Sequence, residues 1–300
     1  MKEIESIYDN IRTSCLKISE KISDMNPFMN SKIVSNNISG DEVKTLDLIT
    51  NNIMIKELSK NKNIKYLISE ENEDIINIHK DGKYLVAFDP LDGSSNIDSN
   101  ITIGTIFCIY KLDNNSLDKI ILGKSIVSAG YCLYGGSTQL ILADKNNGVN
   151  LYVMNKTQNS NKFKYISELK MPEKGKIYAI NESNKYRWNN RNYIKLVKEF
   201  IDLKYTQRWV GSLVADAHRT IIKGGFFSYP GDEKSPLGSL RLLYEAIPFC
   251  FIIENSGGNS YLNDNLKDWK KIVFPKNIHV KIPVTFASNY ENNFIIANLK

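Results

Sequence analysis

Apolar residues at Ile4, Ile7, Tyr8, Ile11, Cys15, Ile18 and Ile22 recur at helical spacing and predict an amphipathic helix over residues 3–23. Residues 25–44 carry little periodicity and many Asn and Ser, and read as a mobile loop. Leu46, Ile49, Ile53, Met54 and Leu58 mark a second helix. The apolar runs at 64–68 and 84–87 are short and read as buried strands, followed by further strand-like runs at 101–110, 120–134, 139–143 and 151–154. A polar, lysine-rich connection at 155–174 suggests a subdomain boundary, giving units of 1–160 and 161–300. Beyond it the apolar run Ile177 to Ile180 leads to Asn181, and the pattern predicts helices at 211–222 and 240–253, a last strand at 282–287 and a terminal helix at 290–298. Mixed helices and strands of this kind predict an α/β protein.

Composition narrows the classes. Of 300 residues 42% are hydrophobic, which can build a sizeable core, and no stretch reaches the ~18 consecutive apolar residues of a membrane span. Lys2, Glu3, Glu5 and Asp9 stand where a signal peptide would be apolar, so a soluble, cytoplasmic protein with no membrane partner is expected. Cys15, Cys108, Cys132 and Cys250 lie far apart among apolar neighbours and read as buried thiols. His218 has no second histidine at ligand spacing, which argues against zinc. The net charge of +6 would attract an anionic substrate, but the lysines are interleaved with acids and no nucleic-acid module is present. No nucleic-acid partner is expected.

The densest chemistry is Phe88-Asp89-Pro90-Leu91-Asp92-Gly93-Ser94-Ser95-Asn96-Ile97-Asp98. Pro90, Gly93 and the serines are expected to stop the strand abruptly, so that Asp89 and Asp92 point into one cavity across a proline-fixed turn. Gly93 lets the N–H groups of Gly93, Ser94 and Ser95 converge. A lone Asp-Gly-Ser is most often just a turn, whereas the whole string suggests a hard metal ion beside a phosphate. Glu70 and Glu71 tip the neighbouring strand; adjacent acids there are usually solvated, but near the first pair Glu70 would bridge metals and Glu71 orient a water. Asp47, taken alone, reads as a cap or dipole residue. Glu245 sits inside an apolar helix and needs a partner. Arg241, one turn earlier on the same face, can pair with a metal-site acid or a phosphate.

The Phe88–Asp98 string resembles the metal and phosphate motif of class I fructose-1,6-bisphosphatases, within the larger lithium-sensitive sugar-phosphatase and inositol-monophosphatase superfamily. Gly40 to Asp47, Ile68 to Glu71, Trp209 to Arg219, and Lys234-Ser235-Pro236 through Ser256-Gly257-Gly258 resemble segments of that family in the same order, over roughly residues 35 to 290. The resemblance implies a layered α-β-α-β-α sandwich and Mg²⁺-dependent hydrolysis of the 1-phosphate of fructose 1,6-bisphosphate. It implies that Glu70, Asp89, Asp92, Glu245 and the Leu91 carbonyl hold two or more ions, Mg²⁺ or alternatively Mn²⁺. Glu71 with Asp47 would activate the water, Asp41 would complete the site on loop closure, and Gly93-Ser94-Ser95 would hold the transferring phosphate.

By the same resemblance Asn181, Asn184, Arg208, Trp209, Tyr229, Ser239 and Arg241 fall at substrate-binding positions. Asn184 and Trp209 stand where the family commonly has phosphate-binding tyrosines, and Arg208 matches an arginine that reaches into a neighbouring subunit, which implies a homotetramer. Ser239 occupies the place of a substrate-binding lysine, a loss of ~1.5–3 kcal/mol or about ten- to a hundredfold in affinity, with Lys234 compensating only if its loop bends inward. Lys83 and Tyr84 match nucleotide-contact positions, but the chain begins too late to supply the N-terminal AMP-binding segment, so AMP control is expected to be weak or absent. Asp216, His218 and Arg219 are expected as structural contacts, and no catalytic signal is visible from Asn259 onward. A sedoheptulose-1,7-bisphosphatase or dual-specificity enzyme is the near alternative. A non-catalytic sugar-phosphate sensor is the distant one. Arg241-Leu242-Leu243-Tyr244-Glu245 replaces the tryptophan-aspartate signature of inositol monophosphatases and argues against that branch.

Overall fold

The apolar stripe of the first helix, α1 (Lys2–Asp24), buries Ile7, Ile11, Cys15 and Ile18, and Tyr8 donates its hydroxyl to Ser128 Oγ over 2.7 Å. The computed structural model describes residues 2–24, 33–36, 42–112, 117, 120–156 and 161–300. After α1 come strands β1 (Ile33–Asn36) and β2 (Glu42–Lys44), then α2 (Thr45–Leu58), β3 (Ile64–Ser69), β4 (Ile76–Asn77), β5 (Tyr84–Asp92) and β6 (Ile103–Lys111). A single turn, α3 (Leu122–Ser125), leads into β7 (Ile126–Tyr134), β8 (Thr138–Asp144), β9 (Gly148–Lys156) and β10 (Asn161–Glu168). The remainder is β11 (Ile177–Ala179), α4 (Asn192–Asp202), β12 (Thr206–Gln207), α5 (Leu213–Lys223), β13 (Phe226–Tyr229) and β14 (Leu240–Arg241). A π turn (Leu242–Ala246) follows, and then α6 (Ile247–Asn255), β15 (Asn259–Leu262), β16 (Lys281–Ile282), β17 (Val284–Ala287) and α7 (Asn289–Leu299).

Two large sheets result. One has eight strands in the order β10-β9-β8-β7-β6-β5-β3-β4, and the other five in the order β12-β11-β13-β17-β15. Side chains alternate across each strand, so each sheet has two faces to cover. On the large sheet Val86, Phe88 and Phe107 face α1 and α2, where Leu46, Met54 and Leu58 meet them. Leu85, Ala87 and Ile106 face the other way, onto Val214 and Ala217 of α5 and Phe249 and Ile253 of α6. The far side of that helical layer packs on Phe227 and Phe286 of the second sheet. Phe226 and Ala287, on its outer face, are covered by Leu196 and Phe200 of α4 and by Ile295 of α7. The order of layers is α-β-α-β-α, as the resemblance implied.

Several sequence expectations are corrected. The expected loop at 25–44 contains β1 and β2, while Asp41 lies outside the described residues. The run at 120–134 is divided by α3. The connection expected at 155–174 holds β10, which pairs antiparallel with β9 at the edge of the large sheet. The helix expected over 240–253 starts as a strand and passes through the π turn before becoming α-helical. All four cysteines are buried and free.

Candidate active site

A bulge brings the two aspartates together. In the β5–β6 pairing Asp89 opposes Ile106 and Asp92 opposes Gly104, so three steps along β5 match two along β6. Strict alternation would send residues three apart to opposite faces; the extra residue restores them to one face, the face toward α5 and α6. Pro90 therefore does not end the strand as its sequence suggested. It sits in the bulge, where its missing N–H costs no ladder bond, and its carbonyl accepts from Thr105 Oγ1 at 2.9 Å. Within the bulge the Leu91 N–H donates to Asp89 Oδ1 at 2.8 Å. Asp92 Oδ2 accepts from Ser212 Oγ at 3.0 Å and from the Val214 N–H at 2.9 Å, at the start of α5.

Glu245 reaches the same cavity from the π turn. Its carboxylate accepts the N–H of Arg241, and the turn is fixed from beneath by Tyr110, whose hydroxyl donates to the Leu243 carbonyl at 2.9 Å. Arg241 is the last residue of β14 and does not share a helical face with Glu245; its buried guanidinium instead approaches Glu70, with Nη2 3.7 Å from Oε1. Asp89, Asp92 and Glu245 each offer an oxygen, and these oxygens lie within 4.8 Å of one another.

Electrostatics mark the cluster. Burial, and then the charges of Glu70, Asp92 and Glu245, hold Asp89 well above the ordinary carboxylate range. Glu245 is raised in the same way, by burial and by Glu70 and Asp92. Burial pushes Asp92 up to about 7 despite the donors from Val214 and Ser212, which pull it down. Buried acids that offer only oxygen form a donor set suited to a hard divalent cation.

Glu70 and Glu71 leave the end of β3, where the Glu70 N–H donates to the Phe88 carbonyl at 3.2 Å and the Glu71 N–H to Ser69 Oγ at 3.3 Å. Asp47 is buried in the first turn of α2. One turn later on the same face, Asn51 accepts from Ser69 Oγ at 2.7 Å and donates to Asn72 Oδ1 at 2.9 Å, tying α2 to the Glu70-Glu71 turn. After Asp92 the chain turns through Gly93, at φ 78°, into a short 3-10 turn over Ser94–Asn96. A Cβ at Gly93 would come within 3.0 Å of Ser212, and a left-handed φ strains any other residue there.

The predicted sugar-phosphate residues gather along one edge of the second sheet. Strands β12, β11 and β13 run parallel, so their C-terminal ends coincide. Asn181 and Asn184 follow β11, Arg208 and Trp209 follow β12, and Tyr229 closes β13. Trp209 stacks on Phe227 with centroids 6.1 Å apart and meets Tyr229 at 5.5 Å. Ser239 lies just before β14 and is part-buried. Arg208 is exposed and donates to the Gln207 carbonyl, while Lys234 points to solvent on an exposed loop.

Asp216 accepts from the N–H groups of Val210 and Gly211 and from Arg219, and His218 Nδ1 meets Tyr131 Oη at 2.8 Å, structural contacts as expected. Sequence reasoning missed Asn51 and His279, yet both touch the Glu70-Glu71 turn; His279 Nε2 lies 3.0 Å from the Asn72 carbonyl oxygen. An Asn at Asp47 plus four was the available clue to the first. For His279 there was none.

A family model described as Fructose-1-6-bisphosphatase, N-terminal domain, matches residues 1–167, and one described as Fructose-1-6-bisphosphatase, C-terminal domain, matches residues 171–298. The class 1 fructose-1,6-bisphosphatase of Sulfurihydrogenibium sp. is 43% identical over 267 residues, 88% of this chain and 81% of that protein. The cytosolic fructose-1,6-bisphosphatase of Beta vulgaris is 41% identical over 269 residues, 85% of this chain and 76% of that one. The crystal structure of Leishmania major fructose-1,6-bisphosphatase in holo form matches with a TM-score of 0.90 at 32% identity, covering 98% of this chain and 94% of that chain. Family models over both halves and relatives at 41–43% identity over most of the chain agree: this chain belongs to the class 1 fructose-1,6-bisphosphatase family.

Proposed function

We propose that this chain hydrolyses the 1-phosphate of fructose 1,6-bisphosphate to give fructose 6-phosphate and inorganic phosphate. The observation that carries the proposal is the buried set Asp89, Asp92 and Glu245, converging within 4.8 Å beside the Gly93-Ser94-Ser95 turn. Glu70, Asp89, Asp92, Glu245 and the Leu91 carbonyl would hold two or more Mg²⁺ or Mn²⁺ ions. Such ions, when bound, neutralise phosphoryl oxygens and acidify a water.

The chain's own groups do the rest. Glu71, with Asp47, takes a proton from the attacking water as its oxygen bonds to phosphorus and the bond to the C1 oxygen breaks; the leaving oxygen is protonated from solvent. Backbone N–H groups of Gly93, Ser94 and Ser95 hold the transferring phosphoryl oxygens without adding a charge. Arg241 sits against Glu70 and can share its positive charge with the substrate.

The second phosphate is held along the edge of the second sheet by Asn181, Asn184, Trp209, Tyr229 and Ser239, with Arg208 serving a neighbouring protomer in a homotetramer. Exposure of Arg208 supports that last role. Activity on sedoheptulose 1,7-bisphosphate is the second reading, favoured by Ser239, whose short side chain leaves room where a lysine would reach. Lys83 and Tyr84 both engage Glu3, at 2.7 and 3.0 Å, which supports weak or absent AMP control. Residues 1–160 would form the metal-binding unit and 161–300 the sugar-phosphate unit, with β10 joined to the first by its pairing. No helix among the described residues is long and apolar enough to cross a membrane; a cytoplasmic location fits the cytosolic relatives. Phosphate release from both bisphosphates, with Mg²⁺ and with chelator, tests the reading. Metal-dependent release from the fructose ester is expected; release from neither ester by folded, metal-bound protein would favour a sensor.

A further inference from the structure

Both ring nitrogens of His279 are engaged, and each bond leads to a different arm of the acid cluster. Nε2 lies 3.0 Å from the Asn72 carbonyl oxygen and 3.3 Å from that of Glu73. Nδ1 lies 2.7 Å from Tyr244 Oη. A carbonyl only accepts, so Nε2 carries the proton, and the Tyr244 hydroxyl donates to Nδ1. Asn72 follows Glu70 and Glu71, while Tyr244 precedes Glu245. One imidazole thus ties the turn carrying two acids to the π turn carrying a third.

The tie is itself anchored. The His279 N–H donates to Asn277 Oδ1 at 2.9 Å, and β16, two residues later, pairs with β14 so that Lys281 opposes Arg241. A rigid link between the two turns therefore sets how closely their carboxylates are held.

We propose that His279, through Tyr244, is a positioning residue that fixes the Glu70-Glu71 turn against Glu245 and so sets the affinity for the divalent ion. This rests on the metal site proposed above. Groups behind metal ligands typically change affinity ten- to a hundredfold when removed.

The test is calorimetric titration of the whole chain with Mn²⁺, for wild type, His279→Leu, Tyr244→Phe and the double variant. Each single change should raise the Mn²⁺ Kd about ten- to a hundredfold, and the double variant should lose little more than His279→Leu, because both break one link. At saturating metal the KM for fructose 1,6-bisphosphate should stay within about twofold. Tyr244→Phe removes a single oxygen and keeps the test valid if His279→Leu fails to fold. Wild-type Kd in either folded variant would overturn the proposal. Failure of wild type itself to bind Mn²⁺ would instead contradict the metal site.

Discussion

The hydroxyl of Ser212 donates to Asp92 Oδ2 across 3.0 Å, joining the start of α5 to the bulge in β5. A hydrogen bond to the charged form favours that form. Ser212→Ala should therefore push Asp92 further above its value of about 7, leaving the Val214 N–H as the other donor. Mg²⁺ activation at pH 7 should weaken by about three- to tenfold, and the gap should close by about pH 8.5. Activation constants measured from pH 6 to 9 check this, and identical profiles for the two proteins would contradict it.

The raised acids also fix the sign of a stability effect. Asp92 rises from 3.8 to about 7 on folding, and Asp89 and Glu245 rise as well. Their folded forms bind more protons than their unfolded forms. The stability that Asp92 contributes is fully present below about pH 4 and is lost as pH rises through about 7, and Asp89 and Glu245 act in the same direction. A bound dication replaces those protons. The rise in Tm produced by Mg²⁺ over chelator should accordingly be small at pH 5 and grow up to pH 8, as thermal melts at each pH would show.

Asp92→Asn separates charge from packing. The amide oxygen can still accept from Ser212 and Val214, while one negative charge leaves a cluster of acids. Turnover should fall by about a thousandfold or more, with metal-free stability at pH 8 equal to or above wild type. Both are read from one preparation by initial rates and thermal melting. Wild-type turnover would remove Asp92 from the site.

Ser239→Lys should restore the ammonium that the family places near the second phosphate. The KM for fructose 1,6-bisphosphate should fall about ten- to a hundredfold, by the ~1.5–3 kcal/mol of a charge-assisted bond. An unchanged KM would show that this chain binds the phosphate elsewhere.

The sequence pattern revealed elements whose burial is periodic. In α1 a stripe of apolar residues sits at helical spacing, and the structure buries that stripe. Strand β10 escaped because it is an edge strand, largely exposed, with lysines at 162 and 164 and no fully buried residue, so its pairing with β9 leaves only a weak hydrophobic trace. The acids at 89 and 92 were legible, but the device that aligns them was not. A bulge is a fact of register, visible only when Gly104 and Ile106 are paired across from them. Arg241 and Glu245 meet, though not on the helical face inferred for them, because β14 and a π turn replace the regular helix. His279 was invisible for a further reason: its partners are the carbonyl of Asn72 and a tyrosine hydroxyl, far from it in the chain.

The account stands most directly on which bond is cut and what the cutting requires. Phosphorus NMR of fructose 1,6-bisphosphate incubated with the purified chain follows both phosphates at once. With Mg²⁺ the 1-phosphate resonance should decay into inorganic phosphate while the 6-phosphate persists as fructose 6-phosphate, and chelator should stop the decay. Loss of the 6-phosphate first, or decay unchanged by chelator, would contradict a site in which Asp89, Asp92 and Glu245 hold the ions that serve the 1-phosphate.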